Sequence, residues 1–452
     1  MHPGGSARRG RGTRRGPRRA VAYPCRMATT AVEVPSVVDV CRSARTAGRR
    51  LAALDTGTKD AALLAIADAI TARAPEILAA NAKDLEAGAA AGLPTALMDR
   101  LKLTDARLAG MVQGVRDVVA LRDPVGETIE GYRLKNGLDV QRQRIPLGVV
   151  AVVYEARPNV TIDALALALK SGNAIVLRGS SSALHSNRIL AAVASDAAEA
   201  AGIPAGAVGL VSGGGREELA ELATQDRYVD LIVPRGGEGL KNALKGVATV
   251  PVIFAAAGIG HVYVDASADL EQALSIVENS KVQRPSACNA AETVLVHREV
   301  AEDFLPSLAG LLGTRGVQLR ADEGSLPLVS GHGAEAVPAT EADWDTEHLA
   351  LILGVRLVDD VFAAIDHIED HGSGHSDAIV ARDHLAVRAF ERGVNSAAVY
   401  VNASTRFTDG AEFGMGAEIG ISTQKLHARG PIGLRELTTY RYLVHGDGHV
   451  RD

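Results

Sequence analysis

Cys288 is one of three cysteines in the chain, and its surroundings suit a nucleophile. An amphipathic run from Asp269 to Lys281 predicts a helix, and Pro285 prevents it from continuing. The apolar run 292–297 predicts a buried strand. Cys288 therefore lies in a polar turn between helix and strand, where Arg284 is a nearby cation that would favour the thiolate. Most free cysteines are small buried hydrophobes, so that interpretation stays open for this stretch alone.

The pattern from Val37 to about Gly126 predicts helices, with Thr104 or Asp105 as the N-cap of one of them, and apolar strands that end in polar loops then precede the cysteine region. The strands are predicted at 145–154, 174–177, 208–211 and 231–233, with a helix after each. This alternation predicts an α/β fold with a parallel sheet, which binds ligands at the carboxyl ends of its strands. Arg178 and Arg235 stand at such ends and could meet a phosphate. No G-x-G-x-x-G fingerprint is present, so the loops could equally be turns that close the βα units.

A polar hairpin is predicted just before the first of these strands. Residues 131–144 alternate in character around Asn136-Gly137, the strongest short-range hairpin signal. A hairpin of this length would project from the body of the protein. It could form an oligomer contact by strand addition, or it could be a solvated loop, and both interpretations stay open.

Charge is distributed unevenly along the chain. Residues 1–26 hold eight arginines and no acid, which leaves the remainder of the chain at −14. An acidic body with only 3% aromatic residues argues against nucleic-acid binding. We expect the arginine-rich arm to be disordered, either as an RNA-contacting tail or as a targeting segment. A third interpretation, which we favour, is that Met27 is the true start.

The sequence predicts neither a membrane span nor a metal site. The most apolar window, 247–264, is interrupted by proline and glycine. The three cysteines are odd in number and far apart, which suggests no disulfide framework and fits a reducing cytoplasm. His367 and His371 could share a helix face as ligands, but glycines end that helix and no third ligand has a defined position.

Several stretches of the chain together resemble the γ-glutamyl phosphate reductases, a family of the aldehyde dehydrogenase superfamily. The resemblance runs from about Val37 to Tyr442 and rests on VYEARPNVTIDA, LIVPRGGEGL, QRPSACNAAETVLVH, HGSGHSDAI, VNASTRFTDG and STQKLHARGP. It implies an aldehyde-dehydrogenase-like α/β fold, with a Rossmann-type cofactor domain, an α/β catalytic domain and a small oligomerisation hairpin. The implied domains are a disordered extension at 1–27, an NADP-binding domain at 28–126 and 145–255, a catalytic domain at 256–400, and an oligomerisation arm with the C-terminal segment at 127–144 and 401–452.

The resemblance also implies a reaction, the NADPH-dependent reduction of L-glutamate 5-phosphate to the 5-semialdehyde in proline biosynthesis. Cys288 would form a thioester and release phosphate, and Asn159 with the Cys288 backbone N–H would bind the oxyanion. The implied cofactor residues are Arg178, Ser180, Ser181, Pro234, Gly236, Gly237 and Glu347, and the implied substrate residues are Arg284, Ser404 and Arg406. A cytoplasmic homo-oligomer, with glutamate 5-kinase as a candidate partner, is expected.

One segment departs from the family pattern. Related sequences often read E-T-G-V-G-N-C where this chain has Phe254-Ala255-Ala256-Ala257-Gly258-Ile259-Gly260. Hydrolytic aldehyde dehydrogenases place a water-activating Glu in this region, so its absence favours a thioester resolved by hydride or phosphate. Two alternatives remain: a hydrolytic dehydrogenase for another semialdehyde, and a non-catalytic RNA-binding protein that uses the arginine-rich arm.

Overall fold

The structure, a computed structural model, describes residues 1, 35–212, 215–254 and 257–451. Almost all of the predicted extension 1–27 lies outside the described residues. The same holds for Ala255 and Ala256 of the segment that departs from the family pattern.

Five helices open the described chain and confirm the helical prediction for this region. They are α1 (Val37–Leu51), α2 (Thr56–Ala72), α3 (Ala74–Ala90), α4 (Thr95–Leu101) and α5 (Asp105–Ala120). Side-chain caps set their starts: the predicted N-cap Thr104 accepts a hydrogen bond from the Arg107 N–H at 3.2 Å, and Asp55 accepts one from the Thr58 N–H at 2.9 Å. Nowhere in the described ranges is a helix both long and apolar enough to cross a bilayer.

The first sheet and its helices consist of β3 (Val149–Tyr154), α6 (Asn159–Lys170), β4 (Ala174–Gly179), α7 (Leu184–Ala200), β5 (Val208–Leu210), α8 (Arg216–Ala223), β6 (Leu231–Arg235) and α9 (Glu238–Lys245). The four strands are parallel and lie in the order β5-β4-β3-β6. Apolar residues of these strands and of α1, α2 and α5–α7 form one continuous core. The predicted parallel α/β unit is confirmed.

The strand predicted at 145–154 is wrong at its start. Ile145 and Pro146 belong to the preceding hairpin, and the chain turns at Gly148 before β3 begins. Gly148 has φ +130°, and a Cβ there would lie 2.2 Å from Asp230 Oδ2. A continuous apolar run concealed this turn, because periodicity alone cannot show where one buried strand ends and the next begins.

The second sheet has seven parallel strands in the order β10-β9-β11-β8-β7-β12-β13. Its elements are β7 (Gly260–Val264), α10 (Leu270–Val282), β8 (Ala291–His297), α11 (Ala301–Gly313), β9 (Gln318–Ala321), α12 (Leu326–Val329), β10 (Glu335–Pro338), α13 (Glu341–Trp344), β11 (Ile352–Val358), α14 (Val361–His371), β12 (Ser376–Val380), α15 (His384–Gly393) and β13 (Ala398–Val401). Two hydrophobic clusters pack on this sheet. The strand starts at β7, β8, β11 and β12 share one edge, because all four strands are parallel.

A third, antiparallel sheet contains the predicted hairpin. Strand β1 (Thr128–Arg133) pairs with β2 (Asp139–Pro146) around a turn at Asn136-Gly137, which confirms the hairpin. After the short pair β14 (Ile421–Ser422) and β15 (Gly430–Pro431), strand β16 (Thr438–His445) joins the other edge of β2. Several large side chains of this sheet are exposed: Tyr132, Tyr440, Tyr442 and Val444. The sheet can therefore accept a partner strand, and the oligomer interpretation stays a prediction.

Candidate active site

Cys288 lies in a tight turn between α10 and β8, as the sequence predicted. The helix ends at Val282 and the strand begins at Ala291. Gly258, just before β7, lies directly on the backbone of this turn: a Cβ on Gly258 would fall 1.7 Å from the carbonyl oxygen of Cys288. Only glycine allows so close an approach. Cys288 as a residue remains partly exposed to solvent.

The polar loop after β13 is fastened to the same turn. Asn289 Nδ2 donates to the carbonyl oxygens of Arg406, at 3.2 Å, and of Thr408, at 2.9 Å. Thr405 Oγ1 donates in return to the carbonyl oxygen of Asn289 at 2.7 Å. These bonds hold the 404–408 loop beside the nucleophile, although more than one hundred residues separate the two segments.

The thiol of Cys288 is protonated in the ligand-free protein. Burial raises its pKa to about 11; Arg235 opposes this rise, while the carboxylates of Glu418 and Glu347 reinforce it. The expectation that Arg284 favours the thiolate stays a prediction. Arg284 is exposed to solvent, and the loss of hydration at the thiol outweighs the nearby cations.

Three arginines, Arg157, Arg235 and Arg406, interact electrostatically with Cys288. Burial first, and then the positive charges of Arg235, Arg100 and Arg284, lower the pKa of Arg157 to about 10; a negative charge on Cys288 would oppose that fall. Arg406 is likewise lowered by burial and by Arg284, with Cys288 opposing. Such an accumulation of positive charge beside a nucleophile suits a substrate that carries more than one negative charge.

Asn159 is the exposed first residue of α6. Its Nδ2 donates to Asp163 Oδ2 at 3.0 Å. Burial raises the pKa of Asp163 to about 6, and the Asn159 hydrogen bond and Arg235 oppose the rise. Arg235 thus lies near both Asp163 and Cys288. Within the described residues Asn159 and Cys288 share no hydrogen bond, so the oxyanion role of Asn159 stays a prediction.

Two predicted cofactor residues at the end of β4 support neighbouring loops. The buried Arg178 donates from Nη2 to the carbonyl oxygen of Gly215 at 2.8 Å. Burial lowers the pKa of Arg178. Ser180 Oγ accepts from the Ala156 N–H at 3.1 Å, whereas Ser181 is exposed at the start of a short 3₁₀ turn. Contact of these side chains with a cofactor stays a prediction.

The predicted cofactor turn after β6 has an open surface. Pro234 is buried in the strand, whereas Gly236 and Gly237 are exposed where α9 begins. The Gly237 N–H donates to Glu155 Oε2 at 3.2 Å. A Cβ on Gly236 would come within 2.7 Å of that same carboxylate oxygen. The turn thus already accommodates an anionic oxygen against its backbone.

Glu347 is linked to the nucleophile turn from the opposite side. Its Oε1 accepts from the Gly258 N–H at 2.8 Å. Nearby, the buried Lys281 donates to Glu292 Oε2 at 2.7 Å, and Glu292 Oε1 accepts from the Leu349 N–H at 3.3 Å. The proposed ribose contact of Glu347 stays a prediction, and the Lys281–Glu292 pair was not predicted from the sequence.

The three predicted substrate residues differ in how available they are. The buried Ser404 shares a hydrogen bond with Ser280 Oγ at 3.0 Å. Arg406 Nε donates to Gln283 Oε1 at 2.7 Å, while its buried Nη1 has no hydrogen-bond partner in the part of the chain that the structure describes. Arg284 is exposed to solvent. Its charge helps to lower the pKa of Arg406, so these two arginines lie near each other, whereas Ser404 is engaged internally.

Sequence reasoning missed two further charged groups near the thiol. Arg157 lies inside a stretch quoted for the family resemblance, but no role was given to it. Glu418 Oε2 accepts from the Gly410 N–H at 2.8 Å, and burial raises its pKa to about 7. A strand end that runs straight into Glu-Ala-Arg-Pro was a local signal for Arg157, whereas nothing near Glu418 in the sequence points to Cys288.

His367 and His371 do share a face of α14, with ring centroids 4.6 Å apart. In the described ranges no group of three or more potential ligands is suitably placed to hold a metal ion. Trp344 and His261 pack edge-on against the His367 ring at 5.7 and 5.3 Å, so this histidine belongs to an aromatic cluster.

Comparisons with known proteins agree with this geometry. Residues 25–325 match the aldehyde dehydrogenase family. A γ-glutamyl phosphate reductase of Syntrophomonas wolfei is 52% identical over 410 residues, which cover 91% of this chain and 97% of that protein. One from Kineococcus radiotolerans is 53% identical over 428 residues, covering 95% and 99%. The crystal structure of a γ-glutamyl phosphate reductase from Thermotoga maritima superimposes with a TM-score of 0.90 at 43% identity, covering 92% of this chain and all of that one, 100%.

The chain belongs to the γ-glutamyl phosphate reductase family.

This family assignment confirms the resemblance and the aldehyde-dehydrogenase-like fold class. A probable aldehyde dehydrogenase from Listeria monocytogenes, 19% identical with a TM-score of 0.66, has the same fold. Members of the γ-glutamyl phosphate reductase family are oxidoreductases, and the aldehyde dehydrogenase fold binds a nicotinamide cofactor. The residues present fit such a group, because Gly236 and Gly237 leave the carboxyl end of β6 open beside the start of α9.

Proposed function

We propose that the protein reduces L-glutamate 5-phosphate to L-glutamate 5-semialdehyde, with NADPH as the reductant and a thioester on Cys288 as the intermediate. The observation that carries this proposal is Cys288, a partly exposed residue among Arg157, Arg235 and Arg406. An acyl phosphate with an α-carboxylate carries negative charge on both its phosphoryl and its carboxylate group, which these arginines can bind. The relatives named γ-glutamyl phosphate reductase support the same substrate.

The first half of the reaction transfers the acyl group to sulfur. The Cys288 thiol gives up its proton to solvent and attacks C5, the S–C bond forms, and the C–O bond to phosphate breaks as phosphate leaves with the bonding electron pair. We assign two hydrogen-bond donors to the oxyanion that forms at C5: the Asn159 amide and the Cys288 backbone N–H. Covalent catalysis divides one difficult step into two easier ones.

The second half returns the enzyme to its starting state. The nicotinamide, when bound, supplies a hydride to the thioester carbon. The S–C bond then breaks, the aldehyde leaves, and Cys288 takes up a proton. Gly258 lies against the cysteine, and segment 254–260, the region in which hydrolytic relatives place a water-activating Glu, contains no carboxylate that could direct water at the thioester. This supports transfer to hydride or phosphate over hydrolysis.

The experiment that tests this function runs the reaction in the oxidative direction. We expect NADP⁺ reduction by glutamate 5-semialdehyde to require phosphate or arsenate, because only these oxyanions release the acyl group from Cys288. NAD⁺ in place of NADP⁺ tests the cofactor preference. Steady turnover with neither phosphate nor arsenate would favour the hydrolytic alternative and contradict the proposal.

Further proposals concern the oligomeric state, a partner enzyme, the domain limits and the location of the protein. The exposed tyrosines of the β1-β2-β16 sheet support a homo-oligomer, which light scattering of the wild type and a Tyr442→Asp variant would test. The lability of an acyl phosphate supports delivery by glutamate 5-kinase, testable by competition with hydroxylamine as a trap. The domain limits and the cytoplasmic location expected from the sequence stay predictions, open to limited proteolysis and to fluorescent tagging.

A further inference from the structure

The loop that carries Arg157 has a backbone conformation that needs an explanation. Ala156 has φ +41°, in the left-handed region that residues other than glycine seldom adopt. Ser180 holds it in place, because its Oγ accepts the Ala156 N–H at 3.1 Å and also contacts Ser182 Oγ at 2.7 Å. The strained residue is the one immediately before Arg157.

Arg157 is a partly buried guanidinium that lacks a counter-ion. Within the described residues it forms neither a hydrogen bond nor an ion pair through its side chain, and its charged neighbours Arg235, Arg284 and Arg100 are all cations. The group of opposite sign beside it is the thiolate that Cys288 becomes when it reacts. A partly buried guanidinium whose charged neighbours are cations is unfavourable until an anion binds beside it.

Two other cations of the cluster already interact with neighbouring groups. Arg406 Nε donates to Gln283 Oε1 at 2.7 Å, and Arg235 lies close enough to Glu418 to lower its pKa. Arg235 also packs against Gly420, where an added Cβ would lie 3.1 Å from its Nη1. Arg157, whose side chain forms no hydrogen bond within the described residues, therefore keeps its whole guanidinium available to bind an incoming anion bidentately.

The position of Arg157 along the chain indicates which anion it meets. Only Pro158 separates Arg157 from Asn159, whose amide is the proposed partner of the C5 oxyanion. The phosphate of an acyl phosphate is joined to that same carbon, so its oxygens lie about one bond further on. The α-carboxylate is at the far end of the substrate, towards the solvent-exposed Arg284.

We propose that Arg157 binds the phosphoryl group of the acyl phosphate and stabilises the departing phosphate, and that Ser180 is a positioning residue for it. This proposal rests on the proposed function. As the Cys288 S–C bond forms and the C–O bond breaks, the electron pair stays on the phosphate oxygen. The guanidinium stabilises that charge through hydrogen bonds and transfers no proton. In reverse, the same contact orients phosphate to attack the thioester.

The test uses the oxidative direction, in which phosphate is a substrate with its own KM. For Arg157→Gln we expect the KM for phosphate to rise roughly tenfold to a hundredfold, since a charge-assisted hydrogen bond is lost. Arg157→Lys, which keeps the charge and loses the fork, should fall between Gln and wild type. The KM for NADP⁺ should stay within about twofold of the wild-type value, whereas a general structural defect would change it as well.

Further variants keep the test decisive if Arg157→Gln folds poorly. Ser180→Ala leaves Arg157 intact and should raise the KM for phosphate by a smaller factor. Added guanidinium ion should restore phosphate-dependent turnover to Arg157→Ala but not to Cys288→Ala. The matched control is Arg100→Gln, an exposed arginine near Arg157, which should leave the KM for phosphate unchanged.

The possible failures are distinguishable. Wild-type enzyme whose turnover needs neither phosphate nor arsenate would overturn the proposed function itself. Phosphate-dependent wild-type enzyme, with an unchanged KM for phosphate in Arg157→Gln, would overturn only the role of Arg157. A rise confined to the KM for the semialdehyde would reassign Arg157 to the α-carboxylate and would also overturn the proposal.

Discussion

At the residue scale, the protonation of Cys288 is set by groups that approach it from distant parts of the chain. Burial raises the thiol pKa to about 11, with Arg235 opposing and Glu418 and Glu347 reinforcing that rise. The ligand-free enzyme thus keeps its nucleophile as the unreactive thiol. The neutral thiol resists oxidation between turnovers.

Removal of the Glu418 charge should make the thiol more reactive. In Glu418→Gln at pH 8.5 we expect iodoacetamide to inactivate the enzyme several-fold faster, because loss of the carboxylate lowers the Cys288 pKa. Burial raises the pKa of Glu418 itself to about 7, so at pH 6 the wild-type carboxyl is protonated and the two rates should converge. Glu412→Gln, at an exposed carboxylate six residues away, is the control. Equal acceleration by both variants would refute this account.

The sequence predicted the nucleophile but not its regulation. Cys288 could be found because a rare residue type stands between a predicted helix and a predicted strand. Glu418 and Arg235 could not be linked to it, because contacts between residues more than fifty positions apart leave no periodic pattern in one chain. The cation beside the thiol was predicted to be Arg284, the neighbour in sequence, and the sequence held no sign of Arg235, which opposes the rise in the thiol pKa.

At the element scale, the Lys281–Glu292 pair fixes the two ends of the nucleophile turn. Lys281 lies in the last turn of α10, and Glu292 is the second residue of β8. Both side chains are almost completely buried. Burial lowers the pKa of Lys281 and raises that of Glu292, so their mutual hydrogen bond is what keeps two costly groups in place. Their bond spans the turn that holds Cys288.

Breaking this pair on one side should destabilise the protein strongly. Lys281→Met leaves Glu292 buried without its partner, and we expect the free energy of unfolding in urea to fall by about 3–5 kcal/mol. The double variant Lys281→Met/Glu292→Gln removes both charges and should recover most of that loss. Because the turn is no longer clamped, kcat of the double variant should stay low. Additive effects of the two substitutions on stability would rule out a coupled pair.

Prediction of elements from sequence succeeded where periodicity changed and failed where it did not. The helix and strand around Cys288, the hairpin at Asn136-Gly137 and the N-cap Thr104 were each marked by a change of pattern or a capping residue. The split of the 145–154 run was hidden, because apolar residues continue through both strands. The arrangement of the sheets depends on pairings such as β16 with β2, which join residues about three hundred positions apart.

At the scale of the whole molecule, buried histidines limit stability in acid. Burial, reinforced by the neighbouring His261, Arg356 and His371, lowers the pKa of His367 to about 2. Burial likewise lowers the pKa of His375 to about 4. Unfolded histidine titrates near 6.5, so below that pH the unfolded chain binds protons that the folded chain excludes. Stability is therefore greatest above pH 6.5 and is lost as the pH falls.

A shape-matched substitution should reduce this acid sensitivity. Within the described residues both ring nitrogens of His367 lack hydrogen-bond partners, and aromatic rings surround it, so His367→Phe keeps the packing. Between pH 7 and pH 5 we expect the loss in free energy of unfolding to shrink by about 2 kcal/mol relative to wild type. His384→Gln, at an exposed position, should show no such gain. An unchanged pH dependence in His367→Phe would contradict the assignment.

The central claim is that Cys288 carries the acyl group, and a single experiment tests it most directly. Enzyme mixed with glutamate 5-semialdehyde and NADP⁺, without phosphate, should release one equivalent of NADPH in a burst and then stop. Mass spectrometry should find a glutamyl thioester on the peptide that contains Cys288, and added phosphate should discharge it and start steady turnover. Phosphate-dependent turnover with no adduct on Cys288, or turnover that persists in Cys288→Ala, would contradict the account.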